Sequence, residues 1–158
     1  MEIKFHFRSR ALVCRDGKVL VCGAREQRTH TFLPGGHIET GEGILTTLRR
    51  EMVEECGRKI ENEQYLGVVE QLWTKDGFRQ WEVVHYFSAE IPDLASDPNV
   101  VSHEDHIEFF WIAPEEFEKE NFLPLPVREL VVAHLKGDRK IWWASNMEQP
   151  EFLRKRNN

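Results

Sequence analysis

Gly35-Gly36-His37-Ile38-Glu39-Thr40-Gly41-Glu42, followed seven residues later by Arg50-Glu51-Met52-Val53-Glu54-Glu55-Cys56-Gly57, is the stretch that decides how this chain folds. Thr40 is the expected N-cap, Glu42 falls in the first turn where negative charge suits the helix dipole, and Gly57 is a left-handed stop. At about 100° per residue, Ile44, Leu45, Leu48, Met52 and Cys56 share one arc, the core stripe. With Glu51 at zero, Glu54 lies near −60° and Glu55 near +40°, by the same ~100° step. Three carboxylates therefore share one side of the helix, along the edge of its buried stripe. An acidic run of this kind is ordinarily a solvated face. Here a glycine loop and Glu42 precede it, and like charges this close repel one another unless a divalent cation neutralises them.

The hydrophobic pattern around the stretch indicates strands. Ala11–Arg15 and Lys18–Cys22 flank Asp16-Gly17, a strong signal for a two-residue hairpin turn. Asp76-Gly77 repeats the device between the long apolar runs Tyr65–Trp73 and Phe78–Ser88, expected to form the centre of a curved sheet. A linker rich in Pro, Asp and Ser, 91–102, leads to a strand over 108–112. Pro114 opens a short helix over 114–118, and Pro126 opens another over 127–136 that Gly137 stops.

Composition limits the remaining choices. The 158 residues are 41% hydrophobic and 30% charged, enough for one well-buried core and too few for two comfortable domains, so one domain over 1–158 is expected. The N-terminus alternates apolar and polar residues, unlike a signal peptide, and no apolar run reaches the ~20 residues of a membrane span. Cys14, Cys22 and Cys56 fall within expected strands or a helix, so they read as buried hydrophobes in a reducing, cytoplasmic setting. A net charge of −6 disfavours a long nucleic acid as partner but is compatible with a small phosphorylated substrate whose charge a metal neutralises.

Gly36, Glu42, Arg50, Glu51, Glu54, Glu55 and Gly57, at these intervals, resemble the Nudix box. Seven identities at roughly 6–7% each coincide in a chain this long on the order of once in a million random sequences. Arg58 departs from the pattern, which has an aliphatic residue there; the position packs the exit turn and holds no metal. The resemblance covers about residues 3–136, leaving 137–158 as a C-terminal extension, and implies an α/β/α sandwich around a mixed, partly antiparallel sheet. It further implies a hydrolase that splits a nucleoside diphosphate linked to a moiety X into a nucleoside monophosphate and phosphorylated X. Magnesium would be the cofactor, with manganese as a substitute. Glu54 and Glu55 would be the principal ligands, Glu51 a further ligand or water-orienting base, and the Gly35 carbonyl would complete the site. Arg50 would orient these glutamates, and Gly36 and Glu42 would lie beside the substrate.

Outside the box several readings stay open. Many Nudix proteins take a further acidic residue from the loop before the strand that ends in Trp, and Glu104, Asp105 and Glu108 precede Phe109-Phe110-Trp111 here, with Glu104 favoured as base or base-reader. His103 and His106 lack a partnering cysteine motif and read as solvated loop rather than as a zinc site. Arg25 is a candidate for substrate phosphate or an exposed loop arginine, and His37 is equally ambiguous. Trp73 and Trp81 read as core of the long hairpin. Of the adjacent Trp142 and Trp143, one ring faces in and the other out if the segment is extended, and the outward ring could close a nucleotide pocket or make a homodimer contact. Arg154-Lys155-Arg156 reads as a solubilising tail.

The markers of ADP-ribose and dinucleoside-polyphosphate hydrolases are missing: the first proline after the box is Pro92, and Tyr65 comes too early. The coenzyme A and NADH markers are absent too. Elimination leaves a nucleoside triphosphate pyrophosphohydrolase of house-cleaning type, with ADP-ribose, dinucleoside-polyphosphate or nucleotide-sugar hydrolysis as the alternative. A non-catalytic nucleotide sensor is a second class, although such proteins usually lose a box glutamate and none is missing here. A non-specific interaction protein would leave the box unexplained.

Overall fold

The computed structural model describes residues 3–147, and the Arg154-Lys155-Arg156 tail lies outside them. Both Asp-Gly turns close hairpins. Asp16 and Gly17 have φ of 50° and 73°, Asp76 and Gly77 have 51° and 79°, the left-handed pair that a two-residue turn needs. The first joins β2 (Cys14–Arg15) to β3 (Lys18–Ala24), and the expected strand over 11–15 is divided, its start belonging to β1 (Ile3–Leu12). The second joins β6 (Glu61–Lys75) to β7 (Phe78–Glu90). Both strands run longer than the apolar runs in the sequence, because cross-strand pairing carries the polar start of β6 through two register shifts to Glu90.

Hydrogen bonding divides the strands into two sheets rather than one. The larger is mixed, in the order β5-β1-β7-β6-β9, with β5 (Gly35–His37) and β9 (Trp142–Ser145) at its edges and parallel pairs at β1/β7 and β6/β9. The smaller is antiparallel: β3 pairs with β2, with β4 (Thr31–Phe32) and with β8 (Ile107–Ile112). Alternation along the strands sends neighbours to opposite faces. Leu12, Val19 and Val21 join one core with Val127, Leu130 and Val131 of α2 (Leu125–Leu135). Ala11, Val13 and Leu20 join the other with Leu48, Met52 and Cys56 of α1 (Ile44–Cys56). One helix thus covers each face, giving the expected α/β/α arrangement.

Three local expectations are corrected. The N-cap of α1 is Gly43 rather than Thr40, with no side-chain cap, because the chain turns at Thr40-Gly41, with Gly41 at φ +90°, and is extended at Gly43 before the helix starts at residue 44. Glu42 consequently precedes the first helical turn. The expected helix over 114–118 is a short 3-10 turn, Pro114–Glu116. The segment 91–102 is fastened rather than a free linker. Ile91, Leu94 and Val100 are buried, and Arg58 pairs with Asp93 at 2.7 Å and Asp97 at 2.6 Å and donates to the Asn99 carbonyl. That is the structural use of the departure at position 58. Cys14, Cys22 and Cys56 are free thiols, and burial pushes Cys14 and Cys56 up to about 11.

Candidate active site

Helix α1, the β4–β5 loop and the loop before β8 meet at one place. Leu48, Met52 and Cys56 fix the rotation of α1 on the sheet, and Gly57 ends it in the left-handed region at φ 66°, donating to the Val53 carbonyl. This rotation grades the three carboxylates by depth. Glu55 is buried, and its Oε2 accepts from Gly35 N–H at 3.2 Å. Glu51 is mostly buried, and Glu54 is about half exposed, with 52% of its side chain in solvent.

Arg50 organises the outer part of the group. Its Nη1 donates to Glu51 at 3.2 Å and to Glu54 at 2.9 Å, so one cationic nitrogen bridges the two carboxylates. Its Nε and Nη2 make a two-pronged contact with Glu42 at 2.7 and 2.9 Å, and Nη2 also reaches the His37 carbonyl. Glu42 in turn accepts from the Thr47 hydroxyl at 2.8 Å and from Glu39 N–H. The hydrogen bonds from Arg50 and Thr47 hold the Glu42 carboxyl down at about 2.

The glycines have steric reasons. A Cβ on Gly36 would collide with the Glu51 carboxylate, and one on Gly35, at φ +132°, would run into the β1 backbone at Ser9. The loop comes this near because β5 pairs with β1, Gly35 opposite Arg10 and Gly36 opposite Ser9.

The loop before β8 is pinned at both ends. His103 N–H donates to the Glu55 carbonyl at 2.7 Å, and its ring lies over Gly57. Arg25 holds the far side through Asp105 and Ile107 carbonyls at 3.0 and 3.2 Å, so its guanidinium is engaged with backbone. Of the three acidic candidates, Glu108 pairs with Arg28 at 2.6 Å and Asp105 is exposed, whereas Glu104 lies close enough for its charge to act on Glu51 and Glu55. Glu104 also meets His106 at 3.3 Å.

Burial, aided by the charges of Glu51 and Glu104, pushes the Glu55 carboxyl up to about 7 against the opposing pull of Arg10 and the Gly35 N–H. Burial raises Glu51 as well. Arg10 is the neighbour that sequence reading missed. It is buried, donates to the Leu33 carbonyl and sits 4.7 Å from the Phe32 ring centre. A charged residue inside an apolar strand, before Ala11-Leu12-Val13, was the available signal. His37 does not project freely: its Nε2 is 2.9 Å from His6 Nδ1 and accepts from Arg8 Nε at 3.2 Å, and its pKa is lowered to about 4, chiefly by burial.

These hard oxygen donors fit a divalent cation of the magnesium type. Two carboxylates already share one positive group, and a third is buried with its ionised form disfavoured, a penalty that a cation would offset. Among the described residues no three His, Cys, Asp or Glu side chains converge as a finished ligand cage, since the Arg50 guanidinium lies between Glu51 and Glu54.

A fold of this kind with such a carboxylate helix defines a hydrolase of phosphoric anhydrides. The NUDIX domain model matches residues 4–131, and the chain belongs to the Nudix family. It is a Nudix pyrophosphohydrolase, acting on the pyrophosphate bond of small nucleoside diphosphate derivatives. The fold is similar to that of a MutT protein from Bacillus halodurans, at 20% identity and TM-score 0.65 over 89% of this chain and 88% of that one. It is also similar to a NUDIX hydrolase from Nitrosomonas europaea, at 22% identity and TM-score 0.63 over 87% and 93% of the two chains. A UDP-X diphosphatase has TM-score 0.62 at 18% identity, over 91% of this chain and 69% of its own.

Proposed function

We propose that the chain is a magnesium-dependent pyrophosphohydrolase of nucleoside triphosphates, of house-cleaning type, active with manganese as substitute and working in the cytoplasm as one domain. The observation that supports metal-dependent hydrolysis is the bridging of Glu51 and Glu54 by one Arg50 nitrogen beside buried Glu55 and the Gly35-Gly36 loop, while the choice of triphosphates rests on the subfamily markers missing from the sequence. Glu54, Glu55, Glu51 and the Gly35 carbonyl would hold the metal, which when bound neutralises phosphate oxygens and lowers the pKa of a coordinated water.

The protein's own groups divide the remaining work. Arg50 keeps Glu51 and Glu54 at fixed separation, and Glu42 holds Arg50 from behind, which makes Glu42 a positioning residue rather than a substrate contact. Arg25 acts through the loop it fastens, and Glu104, on that loop, takes a proton from the attacking water or reads the base. Gly36 leaves room for both the Glu51 carboxylate and the phosphate chain.

Substrate choice is tested by product analysis over nucleoside triphosphates, ADP-ribose, dinucleoside polyphosphates and nucleotide sugars. The expected result is nucleoside monophosphate and pyrophosphate from triphosphates, silence in EDTA, recovery with magnesium and faster turnover toward alkaline pH. Preference for a nucleotide sugar, for ADP-ribose or for a dinucleoside polyphosphate would replace the triphosphate reading with that alternative. Tight binding without turnover across the panel would favour a sensor.

A further inference from the structure

We propose that Arg8 and Arg10 of β1, with the Tyr86 hydroxyl of β7, form an anion subsite that holds the phosphate chain of the substrate beside Glu51 and Glu55. On the side of the larger sheet away from α1, β1 presents Lys4, His6, Arg8 and Arg10 in succession, and Leu12 continues the row into the α2 core. The facing positions of β7 are Gln80, Glu82, Val84 and Tyr86. Four basic side chains thus meet a single carboxylate across these two strands. The row ends at the glycine loop, where Arg10 pairs with Gly35 and Arg8 with His37. The opposite face holds Phe5, Phe7 and Trp81, with Trp81 39% exposed rather than in the core.

The two guanidiniums have more donors than acceptors. Arg8 Nε donates to His37 Nε2 at 3.2 Å and lies 3.1 Å from Glu82 Oε1, and neither of its Nη atoms hydrogen-bonds among the described residues. Arg10 uses one nitrogen, Nη1, on the Leu33 carbonyl. Glu82 is already shared, since Gln71 donates to its Oε2 at 2.5 Å. Tyr86 is 1% exposed, yet its hydroxyl has no hydrogen-bond partner. Burial raises that hydroxyl, so it stays a donor, and Arg10, Glu82 and Arg8 all lie near enough for their charges to act on it. Burial and then repulsion from Arg10 lower the Arg8 pKa, so the two cations crowd each other.

A phosphate chain answers both deficits. Its oxygens accept from the unpartnered donors, and its charge falls between cations whose Cα atoms are about 7 Å apart along the strand. Guanidinium forks match phosphate oxygens in pairs. A sugar or base would satisfy donors but leave the like charges facing each other. The subsite therefore supplies the phosphate contact for which Arg25 was the sequence candidate, since Arg25 is engaged with backbone carbonyls.

Titration calorimetry of the full chain with inorganic tripolyphosphate, the phosphate chain without sugar or base, tests this in EDTA and again with magnesium. Glu82→Gln removes the one carboxylate facing the row while keeping an acceptor for Gln71, and should tighten tripolyphosphate about threefold. Adding Arg8→Gln to Glu82→Gln leaves no buried carboxylate uncompensated, and should weaken binding at least ~10-fold relative to Glu82→Gln, the scale of lost charge-assisted contacts. Tyr86→Phe removes an oxygen without a partner in the free protein, so the unfolding midpoint should hold or rise while tripolyphosphate binds about threefold more weakly. The kinetic arm rests on the triphosphate reading: with a nucleoside triphosphate, adding Arg8→Gln to Glu82→Gln should raise KM at least ~10-fold with kcat within about threefold. A parent that binds tripolyphosphate through these residues yet hydrolyses no triphosphate keeps the subsite and removes that reading. Tripolyphosphate that the parent binds under neither condition at millimolar concentration, or that parent and all variants bind alike, overturns the subsite. So does a loss in kcat with KM unchanged.

Discussion

Replacing Glu55 with Gln should make the metal-free protein more stable at alkaline pH while destroying its response to magnesium. The Glu55 carboxyl is raised to about 7 in the folded chain, first by burial, against an ordinary value of 4.5. The folded state therefore holds this proton through a pH range in which the unfolded chain has released it. For a raised carboxyl the linkage favours folding below the unfolded value, and that contribution is lost as pH climbs through the folded one. At about 1.4 kcal/mol per pH unit, the gap between 4.5 and about 7 comes to about 3 kcal/mol by pH 8. A glutamine still accepts from Gly35 N–H and carries no charge to desolvate. Urea unfolding in EDTA at pH 4.5 and pH 8 should show the stability difference between Glu55→Gln and parent moving by about 3 kcal/mol in the variant's favour at the higher pH. His37, lowered to about 4, slopes the opposite way, but it is common to both proteins and cancels in the difference. With magnesium at pH 8 the parent should gain stability by mass action, and the variant should gain much less. Parallel pH dependences in EDTA would refute the burial argument, and equal gains with magnesium would remove Glu55 from the metal site.

Gly36→Ala and Gly35→Ala should separate chemistry from folding. At Gly36 the added methyl meets the end of the flexible Glu51 side chain, which can swing away, so stability should change by less than about 1 kcal/mol while turnover falls at least ~10-fold. At Gly35 it meets β1 backbone at a positive φ, so thermal or urea unfolding should register a loss of about 3 kcal/mol or more. Glu104→Gln should cut kcat with affinity nearly intact if the residue is the base, or shift the purine–pyrimidine preference through KM if it reads the nucleobase. A variant unchanged in all three would leave Glu104 as solvated loop and turn attention to Asp105 and Glu108.

What the sequence made legible follows the range of the interactions involved. Asp16-Gly17 and Asp76-Gly77 announce their hairpins because a two-residue turn is decided by the φ values of its own residues. The core stripe of α1 and its Gly57 stop were readable for the same local reason. The parallel pairing of β1 with β7, the break into two sheets and the docking of β9 on β6 join residues far apart in the chain, and no local pattern encodes them. The site divides in the same way. Spacing placed Glu51, Glu54 and Glu55 on one side of a helix, but their grading from buried to exposed depends on how α1 lies on the sheet. Arg10 entered only when β1 was seen beside the glycine loop, and Arg25 proved to be a fastening for the loop before β8 because its partners are backbone carbonyls that sequence cannot show.

The most direct test of the glutamate helix is the steady-state rate of purified Glu54→Gln, at saturating magnesium, on the best substrate of the panel. Glu54 is half exposed and outside the core, so circular dichroism and the unfolding midpoint should match the parent. Turnover should fall by about 10²–10⁴, the scale of losing a metal ligand or an acid–base group. A folded Glu54→Gln that hydrolyses the substrate as fast as the parent would contradict the assignment of α1 as the catalytic helix.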